Sequence, residues 1–196
     1  MNNDASQYHS IAFVDLDGTL MKGNTWHFFA RMMLRKALRK CRPLLFIRLN
    51  HRLWLRKRRR IAHADVKQFF ARHSSRLLSE DEFKEFAKEM ATHFNPEVLK
   101  LIEEARNAGA LIVLATAAAG EYAPYVAKEA DIRECICTPP AQQGKEYVEC
   151  RGEIKADEAQ ALASRYGLPV SLVVTDHPDD MPLFRRFPEA RHVLIK

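Results

Sequence analysis

The chain has 196 residues, 47% of them hydrophobic and 29% charged, with a formal net charge of +6. That length buries a full core, as one compact domain or a core with an insertion, and the composition excludes a disordered chain or one that needs disulfide staples. The opening MNNDASQYHS lacks the basic-then-apolar pattern of a secretory signal, and no apolar run approaches the roughly 18 residues that span a bilayer, so a cytoplasmic protein is expected.

The first element in chain order is IAFVDLDGTL, residues 11–20, an apolar strand that stops at two carboxylates, Asp15 and Asp17, followed by Gly18 and Thr19. Asn24 or Thr25 then caps a helix through WHFFARMMLRKALRKC, and Pro43 opens a second, PLLFIRLNHRLWLRKRRR. A third helix follows in ADVKQFFARHSS, and a fourth runs from Ser79 to about Thr92, with SEDE forming a capping box. Four helices without a strand signal read as one insertion, residues 21–94, between core segments 1–20 and 95–196. Its charge sets it apart: Met21 to Leu78 holds 17 Lys/Arg and one acid, Asp65, whereas the remainder holds 14 bases and 24 acids.

From Asn95 the pattern alternates. Asn95 caps, Pro96 starts a helix, Gly109 ends it and ALIVLAT follows as a β-branched apolar run. A helix from about Gly120 to Ala130, strand ECICT, a helix from about Ala156 to Tyr166, strand VSLVVTD, a helix near Pro182 to Phe187 and strand RHVLI complete the chain. Continuous apolar strands alternating with helices predict an α/β fold, a Rossmann-like parallel sheet with helices on both faces. Cys135 and Cys137 form a C-x-C with Cys150 beyond, a spacing too tight for a typical structural zinc site, so they read as strand thiols.

Three strands end on polar residues: Asp15, Thr116 and Asp176. In a parallel sheet all carboxyl ends share one edge, where open α/β folds bind ligands, so Asp15, Asp17, Thr116, Asp176, Asp179 and Asp180 should meet there. Clustered carboxylates raise one another's pKa, and a hard divalent cation is the simplest remedy. Oxygen ligands with incomplete enclosure suit Mg²⁺, which also accepts phosphate oxygens.

These residues carry a resemblance. DLDGTL resembles the first motif of the haloacid dehalogenase superfamily of phosphohydrolases, LIVLAT with Thr116 the second, Lys155 in RGEIKADEA the third, and TDHPDDMPLF the fourth. Lys145 competes with Lys155 for the third role; Lys155 is preferred because it opens the helix before the fourth-motif strand. The resemblance implies a phosphomonoester hydrolase in which Asp15 is the nucleophile and Asp17 the proton donor and acceptor. It also implies Mg²⁺ held by Asp15, by Asp176 and by the backbone carbonyl of Asp17. Thr116, Ala117 and Lys155 would bind the phosphoryl group, with Asp180, Thr19 and Gly18 in support. A proton-transferring Asp17 separates phosphoester hydrolysis from halide displacement, which needs no proton. Thr175, His177 and Pro178 depart from the smaller residues usual there and are expected to narrow the mouth of the site.

The insertion resembles the helical cap of the phosphoserine-phosphatase-like branch, which covers the site and selects the substrate. Phosphoserine phosphatases carry a Glu near the start of the cap, and Asn24 stands in that place here, which argues against phosphoserine itself. The basic run Arg56, Lys57, Arg58, Arg59 and Arg60 reads as a solvated helix end, as a lure for an acidic substrate, or as a contact with an anionic membrane surface. Nucleic acid is less favoured because the core is acidic. A catalytically silent protein that uses these helices to bind an anionic membrane or nucleic acid is the alternative to an enzyme.

Overall fold

The computed structural model describes residues 7–142, 144 and 146–195; Lys145, the competing third-motif lysine, lies outside the described residues. Five parallel strands form the sheet: β1 (Ser10–Val14), β2 (Ala110–Ala119), β3 (Glu134–Thr138), β4 (Val170–Thr175) and β5 (Arg191–Leu194), in the order β3-β2-β1-β4-β5. β1 is central, paired in register with β2 from Ser10↔Ala110 to Val14↔Leu114.

The continuous apolar runs follow from covering both faces of this sheet, since alternate residues then enter different cores. Ile11, Phe13, Leu111, Val113 and Val173 pack with Ala156, Ala159 and Leu162 of α7 (Glu153–Tyr166). Ala12, Val14, Ile112, Leu114 and Val174 face the opposite way. They join one cluster with α5 (Pro96–Asn107), α6 (Ala123–Glu129) and the helices that follow β1.

Those helices are α1 (Thr25–Arg39), α2 (Pro43–Lys57), α3 (His63–Leu77) and α4 (Glu80–Ala91). Asn24, rather than Thr25, caps α1, its side chain accepting from the Trp26 N–H at 2.9 Å. The insertion begins and ends at one place, where the Asn95 N–H donates to the Leu20 carbonyl at 2.7 Å and Met21 pairs antiparallel with Phe94. Aromatic packing joins α1 and α4 to α6: Phe29 and Phe86 lie 4.8 and 5.3 Å from Tyr122, and Phe83 stacks on Tyr125 at 5.9 Å.

Some boundaries differ from expectation. β2 runs to Ala119 rather than Thr116, with a register shift against β3 between Ala115 and Ala119, and α6 begins at Ala123 rather than near Gly120. The strand continues through Ala117, Ala118 and Ala119, and the Gly120 N–H donates to the Thr138 carbonyl at 2.8 Å. α7 starts at Glu153, which puts Lys155 in its first turn, and a 3₁₀ turn (Pro178–Asp180) precedes α8 (Met181–Arg186). Among the described residues no helix is long and apolar enough to cross a membrane.

Glu82 ties α4 to α1. Its carboxylate accepts from Lys36 at 2.7 Å and Lys40 at 2.6 Å while closing the Ser79 capping box. Partial burial opposes ionisation, but these hydrogen bonds outweigh it and hold the carboxyl down at about 2, against 4.5 for a free glutamate. A carboxyl with a depressed folded pKa stabilises fully above its unfolded value and loses that contribution as pH falls through the folded one. Glu82→Gln is therefore expected to cost about 1–2 kcal/mol near neutral pH. In thermal melts the gap from wild type should narrow between about pH 4.5 and pH 2.

Candidate active site

The turn after β1 is a set of short backbone bonds. The Asp15 N–H donates to the Val174 carbonyl at 2.9 Å, Leu20 N–H to the Asp15 carbonyl at 3.2 Å, and Gly18 N–H to the carbonyls of Met21 and Gly23 at 3.0 and 2.9 Å. Gly18 has φ +81°, and a Cβ there would sit 2.0 Å from Asp176 Oδ2. Only glycine allows both the left-handed turn and this close approach of a carboxylate from the end of β4. The Thr19 hydroxyl, fully buried, donates to Asp176 Oδ1 at 3.1 Å. Thr19 thus steadies Asp176 across the sheet edge.

Lys155 reaches from α7 into the middle of this edge. Its ammonium lies 2.9 Å from Asp15 Oδ1 and 2.7 Å from Asp180 Oδ1, with the lysine and Asp180 side chains each 4% exposed. Asp180 also accepts from the Thr175 hydroxyl at 2.7 Å, so the departure at Thr175 supplies a donor to a buried carboxylate. Burial pushes the Asp15 carboxyl up to about 7, with Lys155 pulling it down and the charges of Asp180 and Asp17 adding to the push. For Lys155, burial works against the charged form, but Asp15 and Asp180 more than offset it and the ammonium is held above its ordinary range.

Asp17 points toward the insertion. Its Oδ1 accepts from the Thr25 N–H at 2.6 Å, at the positive end of α1, and the Thr25 hydroxyl pairs with the buried Tyr122 hydroxyl at 3.1 Å. Burial raises the Asp17 carboxyl from its ordinary value against these hydrogen bonds. On the other side, Thr116 is buried at the irregularity in β2 and its hydroxyl accepts from the Ala118 N–H at 3.1 Å. Thr138 secures the same loop, donating to the Ala117 carbonyl at 2.9 Å and accepting from the Cys150 N–H at 3.0 Å.

Asp15, Asp17, Gly18, Thr116, Ala117, Lys155, Asp176 and Asp180 line one cavity of about 470 Å³. Residues unforeseen from the sequence complete it. His63 and Lys67 come from α3 and Glu149 and Arg151 from the segment before α7, with Lys67 bound to Glu149 at 2.6 Å and Arg151 to Asp179. His177, expected at the mouth of the site, also lines the cavity, its Nδ1 accepting from the Asp179 N–H at 3.1 Å. Neither Lys67 nor Glu149 stands in a recognisable pattern. Thr25 had a partial signal, as a neighbour of the Asn24 cap. Arg56 to Arg60 lie outside this cavity's lining and are exposed at the end of α2.

The donor set fits Mg²⁺. The missing Cβ of Gly18 admits the Asp176 carboxylate to the loop that carries Asp15 and Asp17, so three residues able to offer hard oxygens line one cavity. Among the described residues no three His, Cys, Asp or Glu side chains form a metal cluster. A site of two carboxylates and one carbonyl contains only two such side chains.

A parallel sheet with polar strand ends gathered on one edge is an α/β, Rossmann-like scaffold of the kind the sequence motifs imply. The model of the haloacid dehalogenase-like hydrolases matches residues 12–185, and the chain belongs to that family. A Bordetella pertussis Tohama I protein of unknown function shares its fold with a TM-score of 0.71 at 16% identity, over 95% of this chain and 90% of that one. A phosphoserine phosphohydrolase-like protein from Francisella tularensis matches with a TM-score of 0.55 at 18% identity, over 95% and 86%. A substrate-bound phosphoserine phosphatase matches with a TM-score of 0.56 at 13% identity, over 96% and 93%. No curated protein matches the sequence.

Lys155→Met leaves Asp15 and Asp180 buried side by side without their cation. Removing one member of a buried ionic network is expected to cost about 3–5 kcal/mol, measurable by urea unfolding at neutral pH.

Proposed function

We propose that the protein is a Mg²⁺-dependent phosphomonoester hydrolase that works through an aspartyl-phosphate on Asp15. The observation that carries this reading is the buried Asp15 carboxylate held 2.9 Å from Lys155, in one cavity with Asp17, Thr116 and Asp176. The likeness of the fold to phosphoserine phosphatases supports it.

In the first half-reaction the Asp15 carboxylate attacks phosphorus in line. A bond forms from the carboxylate oxygen to phosphorus as the bond to the ester oxygen breaks, and Asp17 gives its proton to the departing alcohol. The raised Asp17 pKa suits a proton donor. In the second, Asp17 takes a proton from water, whose oxygen attacks phosphorus, releasing phosphate and restoring the Asp15 carboxylate. Lys155 offsets the charge of Asp15 and of the phosphoryl group, and Thr116 with the amide of Ala117 holds the phosphoryl oxygens. Bound Mg²⁺, held by Asp15, Asp176 and the Asp17 carbonyl, would screen the repulsion between carboxylate and phosphoryl anion.

Residues 21–94 serve as the cap in this reading, since Gly23, Asn24, His63 and Lys67 line the cavity opposite the strand ends. Asn24 is committed to capping α1, which suits a substrate other than phosphoserine. The substrate is a phosphorylated metabolite or other anionic phosphomonoester.

Hydrolysis of an aryl phosphate should require Mg²⁺, disappear in Asp15→Asn and fall roughly 10²–10⁴-fold in Asp17→Asn. Wild-type turnover by Asp15→Asn would remove the nucleophile from this scheme. Absence of turnover on every member of a phosphoester panel would favour a silent binding protein.

A further inference from the structure

α2 is apolar on two opposite sides. Its inner line, Leu45, Leu49 and Leu53, packs on the main cluster, with Leu49 fully buried. A second line, spaced three and four residues apart, runs along the opposite side through Leu44, Ile47, His51, Trp54 and Arg58. Leu44, Ile47 and Trp54 are 76%, 61% and 44% exposed, so among the described residues this side of the helix faces solvent. Folding sorts the apolar residues of this helix into a buried stripe and a solvent stripe.

Base clusters around the exposed stripe. The guanidinium groups of Arg58 and Arg60 lie 5.2 and 5.7 Å from the Trp54 ring, whereas Arg56, Lys57 and Arg59 line a cavity with Trp26, Leu53 and His63 on the side of α1 and α3. From Met21 to Leu78 there is one acid, Asp65, and it accepts from the Ala62 N–H at the start of α3. A second copy of the chain set against this face would bring two strongly basic surfaces together, which their repulsion opposes. A polyanion without an apolar phase would satisfy the arginines but leave Leu44 and Ile47 in water. An anionic bilayer satisfies both, because its headgroups pair with guanidinium and its acyl boundary takes up aliphatic and indole surface.

We propose that the outer face of α2 docks the protein on an anionic lipid bilayer. Leu44, Ile47 and Trp54 enter the headgroup–acyl boundary while Arg58 and Arg60, beside Trp54, pair with lipid headgroups. This holds whatever chemistry Asp15 performs.

The test uses the full chain and sedimentation with vesicles of phosphatidylcholine mixed with phosphatidylglycerol, against phosphatidylcholine alone, with tryptophan emission read in parallel. Trp26 is buried, so a shift on binding reports Trp54. Wild type should bind the mixed vesicles in a salt-sensitive manner with a blue shift. Arg58→Gln and Arg60→Gln together should lower partitioning roughly 25-fold, at roughly fivefold per base. Leu44→Ser, Ile47→Ser and Trp54→Ser together should lower it at least about tenfold while circular dichroism stays that of wild type. Failure of wild type to sediment with the mixed vesicles overturns the proposal, as does an apolar triple variant that binds them like wild type. Tight binding of a single-stranded oligonucleotide with no emission shift on vesicles assigns the face to nucleic acid and also overturns it.

Discussion

The burial of Lys155 between Asp15 and Asp180 is the constraint on which the rest of the structure depends. An ammonium and two carboxylates taken out of water together cost several kcal/mol per ion unless geometry and hydrogen bonds return it. The return here comes from three places at once: the loop that leaves β1 carries Asp15, the first turn of α7 carries Lys155, and the 3₁₀ turn after β4 carries Asp180, with Thr175 as a further donor. A shift of any of these elements leaves a charge unpaired. The sheet edge is therefore held in one arrangement, with Asp17, Thr116 and Asp176 on the same rim.

A second dependence runs from the edge into the insertion. Asp17 accepts from the first N–H of α1, the Thr25 hydroxyl meets Tyr122, and Tyr122 is packed by Phe29 and Phe86. The aromatic seam between α1, α4 and α6 thus reaches a carboxylate of the site through two hydrogen bonds. Lys67 and Glu149 make a further connection at the same cavity. Helices whose charge differs so sharply from the core are in this way bound to it by burial and by a few polar contacts.

The alternation of strands and helices, the two-sided burial of the sheet and the meeting of Asp15, Asp17, Thr116, Lys155, Asp176 and Asp180 were legible in the sequence. They rest on local periodicity and on the rule that parallel strands point their carboxyl ends to one edge. Less legible were the extension of β2 through its alanines, the reach of Thr19 to Asp176, and the parts played by Thr25, Tyr122, His63 and Lys67. Each of these depends on a partner far away in the chain, 157 positions away for Thr19 and 97 for Thr25, and nothing local marks it.

By itself, then, the sequence determined the order of elements, the family pattern and the identity of the acids at the strand ends, because short-range periodicity and residue chemistry carry that information. Tertiary structure alone decided which oxygen each donor meets, how Gly18 admits Asp176, and which of α2's two apolar sides is buried. A helix with leucines on both sides satisfies periodicity in either orientation. Packing against α1 and α3 is what turns Leu49 inward and leaves Leu44, Ile47 and Trp54 facing out.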